Sequence, residues 1–179
     1  TLTTPPFCQY YGHMLDIYTL GEEVLRENAG KVTVFDNALA ILVDAMFDTM
    51  AEADGIGLAA PQVGVTKRLF VVDTRRPGEK MVFINPEIIE TSQEVCSREE
   101  GCLSIPGMYY DIVRPSKITV QAQDLNGKAF ITRASGMLAR VIQHENDHLN
   151  GVLFIDRMEE ESRAKLVAAY QKRNKRKKT

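Results

Sequence analysis

Apolar residues recur along the chain in two rhythms, and these define most of its elements. Leu39, Leu42, Val43, Met46 and Met50 fall at helical spacing, which predicts a helix from about Asp36 to Glu52, with Asp36 placed to cap its start. A second helix is predicted from about Ser135 to Leu149, its end marked by Asn150-Gly151, and a third over about 158–173. In the second helix Met137, Val141, His144 and His148 share one stripe, while Leu138, Ile142 and Leu149 occupy another sector. A helix apolar on two sides belongs in the middle of its domain, so both histidines are expected to be buried.

Shorter apolar runs read as strands: Leu15–Thr19, "RLFVVD" (68–73), "MVFIN" (81–85), "KITVQAQ" (117–123), "KAFITRA" (128–134) and "VLFID" (152–156). Asn126-Gly127 between the fourth and fifth is a hairpin signal. Pro86 and the alternating "EIIETSQEVCSREE" imply an extended antiparallel segment leading into "GCLSIPG". "DGIGLAAPQVGV" (54–65) is too rich in Gly and Pro to continue the first helix and is expected to be a loop. Strands crowd the middle and helices stand apart, without βαβ alternation. The expected class is therefore α+β, with mainly antiparallel strands around a central helix that carries the histidines, and a C-terminal helix.

The chain has 179 residues, 44% apolar and 26% charged, which suits one domain and is too apolar for a disordered chain. No run of about 18 apolar residues exists to span a bilayer. The net charge of −2 hides an asymmetry. Residues 163–179 carry eight Lys and Arg and no acid, leaving 14 basic against 24 acidic residues in 1–162, a net charge of −10 there. An acidic body with a basic tail points to a polyanionic partner. Three cysteines cannot all pair with one another, which argues for a reducing compartment, and Cys96 is expected to be a buried structural cysteine. The first residues show no basic region followed by an apolar one, so no secretory signal is expected. Residues 1–13 differ in composition from the periodic text that begins at Met14 and are expected to be an extension outside the fold.

The sharpest chemical signal is "HENDH", His144 to His148. Histidines four apart on a helix lie on one face and can reach a single ion, while Glu145 stands beside them where a proton carrier belongs. A catalytic metal usually has three protein ligands and one open position. In one class of metalloproteases the third ligand falls three residues beyond a glycine, but after Gly151 that place holds Phe154. Asp156 and Glu159–Glu161 are the only other acids downstream, and they follow the helix too closely to fold back onto it. Upstream, Cys102 in "EGCLS" completes a Cys/His2 set suited to Zn²⁺ or Fe²⁺. "GIGLAA" (55–60) matches a dinucleotide fingerprint, yet a helix precedes it and Pro61 follows, so no nucleotide cofactor is expected. Its glycines allow close backbone approach, and the Gln62 amide can donate to an oxyanion.

Together, in this order, "GIGLAAPQ", "EGCLS" and "HENDH" resemble the three signature motifs of the bacterial peptide deformylases, and "INPEI" and "GVLFIDR" extend the likeness across about residues 14–160. The resemblance implies a cytoplasmic hydrolase that removes the formyl group from the N-terminal formyl-methionine of nascent polypeptides and releases formate. It implies one divalent metal on Cys102, His144 and His148, Fe²⁺ physiologically and Zn²⁺ or Ni²⁺ in purified forms. Metal-bound water is then the nucleophile, Glu145 the general acid and base, and Gln62 and the Leu103 N–H the oxyanion donors. The peptide is expected to pair as an added strand around Ile56-Gly57 and near Gly101, its methionine entering a pocket of Ile56, Met137, Val141 and His144. By the same resemblance Asp147 pairs with Arg114, and Tyr109 stands at the pocket rim. The basic 161–179 segment is expected to contact ribosomal RNA, with no membrane partner. Two other readings are a zinc peptidase, which lacks its third ligand, and a metal-dependent RNA-binding module, which leaves Glu145 and Gln62 without a purpose.

Overall fold

The computed structural model describes residues 14–177, so the expected extension at 1–13, with Cys8, lies outside the described residues. Seven strands and three α-helices are ordered α1 (Asn37–Glu52), β1 (Gly57–Ala59), β2 (Leu69–Asp73), β3 (Lys80–Thr91), β4 (Val95–Gly101), β5 (Tyr109–Pro115), β6 (Lys117–Gln123), β7 (Ala129–Ser135), α2 (Gly136–His148) and α3 (Glu160–Lys177). All strand pairings are antiparallel, in a five-stranded sheet ordered β1-β2-β3-β6-β7 and a separate β4-β5 hairpin. The class is α+β, as the pattern predicts.

Helices cover both faces of the large sheet. Successive side chains of a strand point to opposite faces, so Leu69 and Val71 of β2 meet Leu42, Val43 and Met46 of α1, while Phe70 and Val72 join Val141 and Ile142 of α2. That double cover is why "LFVV" is uninterruptedly apolar and buried. A third cluster holds the hairpin to the C-terminal part, with Ile105 and Ile112 packed among Leu153, Phe154, Ile155 and Tyr170.

Most predicted elements are found. The Asp36 side chain accepts from the Leu39 N–H at 3.0 Å and so starts α1. Gly127 takes φ +75° in the β6-β7 turn. Four expectations are corrected. Residues 15–19 form no strand: Tyr18 and Leu20 donate single backbone bonds to Gln62 and Ser104, with no continuing ladder. "VLFID" is not a strand but leads into a 3-10 turn over Phe154–Arg157, because three of its four apolar side chains, Leu153, Phe154 and Ile155, enter one cluster instead of alternating. The 54–65 loop contains β1 and a 3-10 turn over Ala60–Val63. Cys96 is exposed, since it sits on a hairpin covered only near its far end. The strand β5 was not expected, as Arg114, Tyr109 and Pro115 obscure its alternation. β3 runs through Pro86 with irregular register opposite β6, and α3 continues four residues past the predicted end.

Phe70→Ala removes a fully buried ring stacked 5.0 Å from Phe83. It is expected to cost about 3–5 kcal/mol in urea unfolding, against under about 1 kcal/mol for Ile131→Ala, whose side chain is exposed.

Candidate metal centre and substrate cleft

Helix α2 brings His144 and His148 onto one face, as the i, i+4 spacing requires, with ring centroids 5.1 Å apart. Both are buried, His148 almost completely. Cys102 follows directly after β4 and points at them: its Sγ lies 3.3 Å from His148 Nε2, and the thiol and one nitrogen of each ring lie within 4.8 Å of one another. The expected third partner therefore arrives from a residue 46 positions upstream of His148. Phe154, where the protease pattern would put a histidine, instead stacks on His144 at 6.3 Å.

The ring orientations are fixed from behind. His144 Nδ1 lies 3.0 Å from Glu100 Oε2. Glu100 also accepts from Arg114 at 2.6 and 2.9 Å and from Arg140 at 2.6 Å. Burial opposes its charge, but the Arg114 and His144 hydrogen bonds outweigh that and hold the carboxyl far below the usual range. Arg114 continues to Asp147 at 2.8 Å, the pair expected from sequence, and Arg157 adds a second guanidinium there at 2.6 Å. Glu100 and Arg140 were not singled out in the sequence. Glu100 stood in plain view inside "EGCLS", whereas Arg140 carries no motif signal beyond lying one turn before His144.

These surroundings suit a cation. Burial pushes His148 well below its ordinary value, keeping the ring neutral as a ligand must be. Burial works against a proton on His144 too, yet its hydrogen bonds to Cys102 and Glu100 raise it well above the ordinary value, so a metal binding there displaces that proton. A thiol and two imidazoles are donors for Zn²⁺ or Fe²⁺, and the residues present fit such an ion.

Glu145 faces the same space. Burial pushes its carboxyl up to about 7, and its Oε2 has no hydrogen-bond partner among the described residues. Gln62 is held in place, its Oε1 accepting from the Ala59 N–H at 2.8 Å and its Nε2 donating to Ser104 Oγ at 3.1 Å with Cys102 Sγ 3.6 Å away. The amide thus presents N–H to the centre. A cavity of about 450 Å³ opens here, lined among others by Ile56, Gly57, Gly101, Leu103, Met137 and Val141. All of the sequence-predicted site residues border it except His148, which lies behind the thiol. Tyr109, 61% exposed, stands at its rim. β1 is an edge strand, bonded on one side only to β2, so its other side is open beside the cavity. Gly57 lets this edge approach α2: a Cβ there would lie 2.7 Å from Val141 Cγ1 and run into the Glu145 carboxylate.

A sequence profile of the polypeptide deformylase family matches residues 14–164. A peptide deformylase of a Picosynechococcus species is 50% identical over 150 residues, covering 82% of this chain and 80% of that protein. One from Borreliella burgdorferi is 48% identical, covering 83% and 90%. Among solved structures, a Legionella pneumophila peptide deformylase aligns with TM-score 0.87 at 42% identity over 92% of this chain and 98% of that one. A Synechococcus elongatus peptide deformylase in complex with actinonin aligns with TM-score 0.83 at 46% identity, over 88% and 86%.

Gly57→Ala is expected to push β1 off α2 and lower the unfolding free energy by about 1–3 kcal/mol. Urea denaturation checks this, and an unchanged midpoint would show that the β1 edge yields freely.

Proposed function

The chain belongs to the polypeptide deformylase family, and we propose that Cys102, His144 and His148 hold its single divalent metal while Glu145, Gln62 and the Leu103 N–H act on the substrate. The activity is metal-dependent hydrolysis of the formyl group from N-terminal formyl-methionine of nascent polypeptides, releasing formate. The observation that carries the residue assignment is the meeting of one thiol and two helical rings beside an unpartnered glutamate oxygen at a cavity wall.

When bound, a divalent ion supplies Lewis acidity there, lowering the pKa of a water from 15.7 towards about 7. Glu145 accepts the proton of the attacking water as its oxygen bonds to the formyl carbon, then delivers it to the amine nitrogen as the C–N bond breaks. The Gln62 amide and the Leu103 N–H donate to the oxygen that gains charge, and losing one such donor typically costs about 10²–10³ in rate. The peptide backbone adds as a strand along the open edge of β1 at Ile56-Gly57 and against Gly101. The methionine side chain lies between Ile56, Met137, Val141 and His144.

The same reading takes Fe²⁺ as the physiological ion, with Zn²⁺ or Ni²⁺ able to use the same donors, and places the protein in the cytoplasm, where formylated chains emerge. No described helix is long and apolar enough to cross a membrane. Residues 14–160 form the hydrolase domain and 161–179 a basic segment directed at ribosomal RNA. α3 anchors Tyr170 in the third apolar cluster and carries Arg163, Lys165, Lys172 and Arg173, of which Arg163 pairs with Asp156, Lys165 with Glu161, and Arg173 donates to Gly107 O; the support for this reading is the basic run itself.

Glu145→Ala is expected to keep stoichiometric metal but to lose nearly all formate release from formyl-Met-Ala, with no cleavage of the unformylated peptide by the parent. Wild-type turnover in that variant would remove Glu145 from the mechanism. Co-sedimentation with ribosomes at low salt is expected to weaken sharply when the chain ends after Tyr170, and to weaken with added salt in the full chain. Equal sedimentation of both would end the ribosomal reading.

A further inference from the structure

The β4-β5 hairpin is not hydrogen-bonded into the large sheet, yet it carries Cys102 just beyond its end. An isolated two-stranded hairpin is marginally stable at best; Ile105 and Ile112 anchor this region to the C-terminal part through the third apolar cluster, and contacts to α2 must also fix where that thiol comes to rest relative to His144 and His148. Polar bonds from α2 do so. Gln143 Nε2 donates to Pro115 O at 3.0 Å, and Asp147 accepts from Arg114. Arg140 reaches furthest. Its guanidinium donates to Cys96 O on β4 at 2.6 Å, to Ile112 O on β5 at 2.8 Å, and to Glu100 Oε1 at 2.6 Å, and it is 6% exposed. It therefore holds both strands of the hairpin and also the carboxylate that orients the His144 ring.

We infer that Arg140 is a positioning residue for the metal centre: by clamping the β4-β5 hairpin to α2 it sets the distance from the Cys102 thiol to the two rings. This rests on the Cys102, His144 and His148 assignment above. The clamp needs a planar fork whose donors diverge to three acceptors at once. A lysine supplies one terminal nitrogen, which in the place of Nη1 can meet Glu100 and Ile112 O but not Cys96 O on the other strand as well, so it leaves β4 unclamped. Charge alone therefore does not replace it.

Cobalt(II) titration of metal-free protein, monitored by the thiolate-to-cobalt absorption band, tests this well below the unfolding midpoint. Arg140→Lys is expected to bind Co²⁺ about 10–100-fold more weakly than the parent, with a weakened or shifted thiolate band, and Arg140→Leu at least as weakly. Leu42→Ala, which lowers stability from the cluster between α1 and the large sheet, away from α2 and the hairpin, is expected to keep parental affinity and spectrum. Should Arg140→Leu fail to fold, the lysine variant alone decides. Parental affinity and an unchanged band in Arg140→Lys would overturn the inference. Equal weakening in Leu42→Ala would reduce Arg140 to a general stabiliser and overturn it too. A parent protein that shows no thiolate band with Co²⁺ would instead bring down the donor assignment on which the inference stands.

Discussion

A single buried carboxylate, Glu100, joins the two halves of the reactive centre. It leaves water to accept hydrogen bonds from two guanidiniums and from the His144 ring. Removing such a charge from water costs several kcal/mol, which only several well-formed partners offset. Here the charge is matched from both structural halves, since Arg114 belongs to the hairpin and Arg140 and His144 belong to α2. The arrangement stabilises only one docking of hairpin on helix, because any slip would strand Glu100 or an arginine without a partner. The position of the Cys102 thiol follows from that docking.

Around this junction the large sheet acts as a rigid frame. Its two covered faces seat β1 between α1 and α2, and Gly57 brings the strand edge to within contact of Val141 and Glu145. A cleft with one wall of open strand edge and another of helix follows directly. It offers backbone groups for an extended chain and an apolar floor of Ile56, Met137 and Val141 for one side chain. Gln62 sits on the turn that ends β1, so the same strand that receives the peptide also presents the amide to the reacting end.

The local parts of this picture were legible in the sequence because short-range rules decide them. Helical spacing alone puts His144 and His148 on one face, Asp36 alone caps α1, and Asn126-Gly127 alone closes its hairpin. The residues themselves also offered Glu145, Cys102 and Gln62, and the motif likeness gave them their expected roles and added the Arg114–Asp147 pair.

Tertiary structure decided the rest, for a physical reason that the misread segments make plain. "VLFID" has the alternation-free apolar content of a buried strand, and only the shape of the third cluster bends it into a 3-10 turn. Cys96 looks like a core residue by type, and only the bare surface of its hairpin exposes it. Arg140 looks like one more solvated helix charge, until packing places it against two strands and a carboxylate. Local propensity acts within a turn or two of chain, whereas the approach of a thiol to a ring 46 residues away depends on how whole elements pack, which no short stretch of residues encodes.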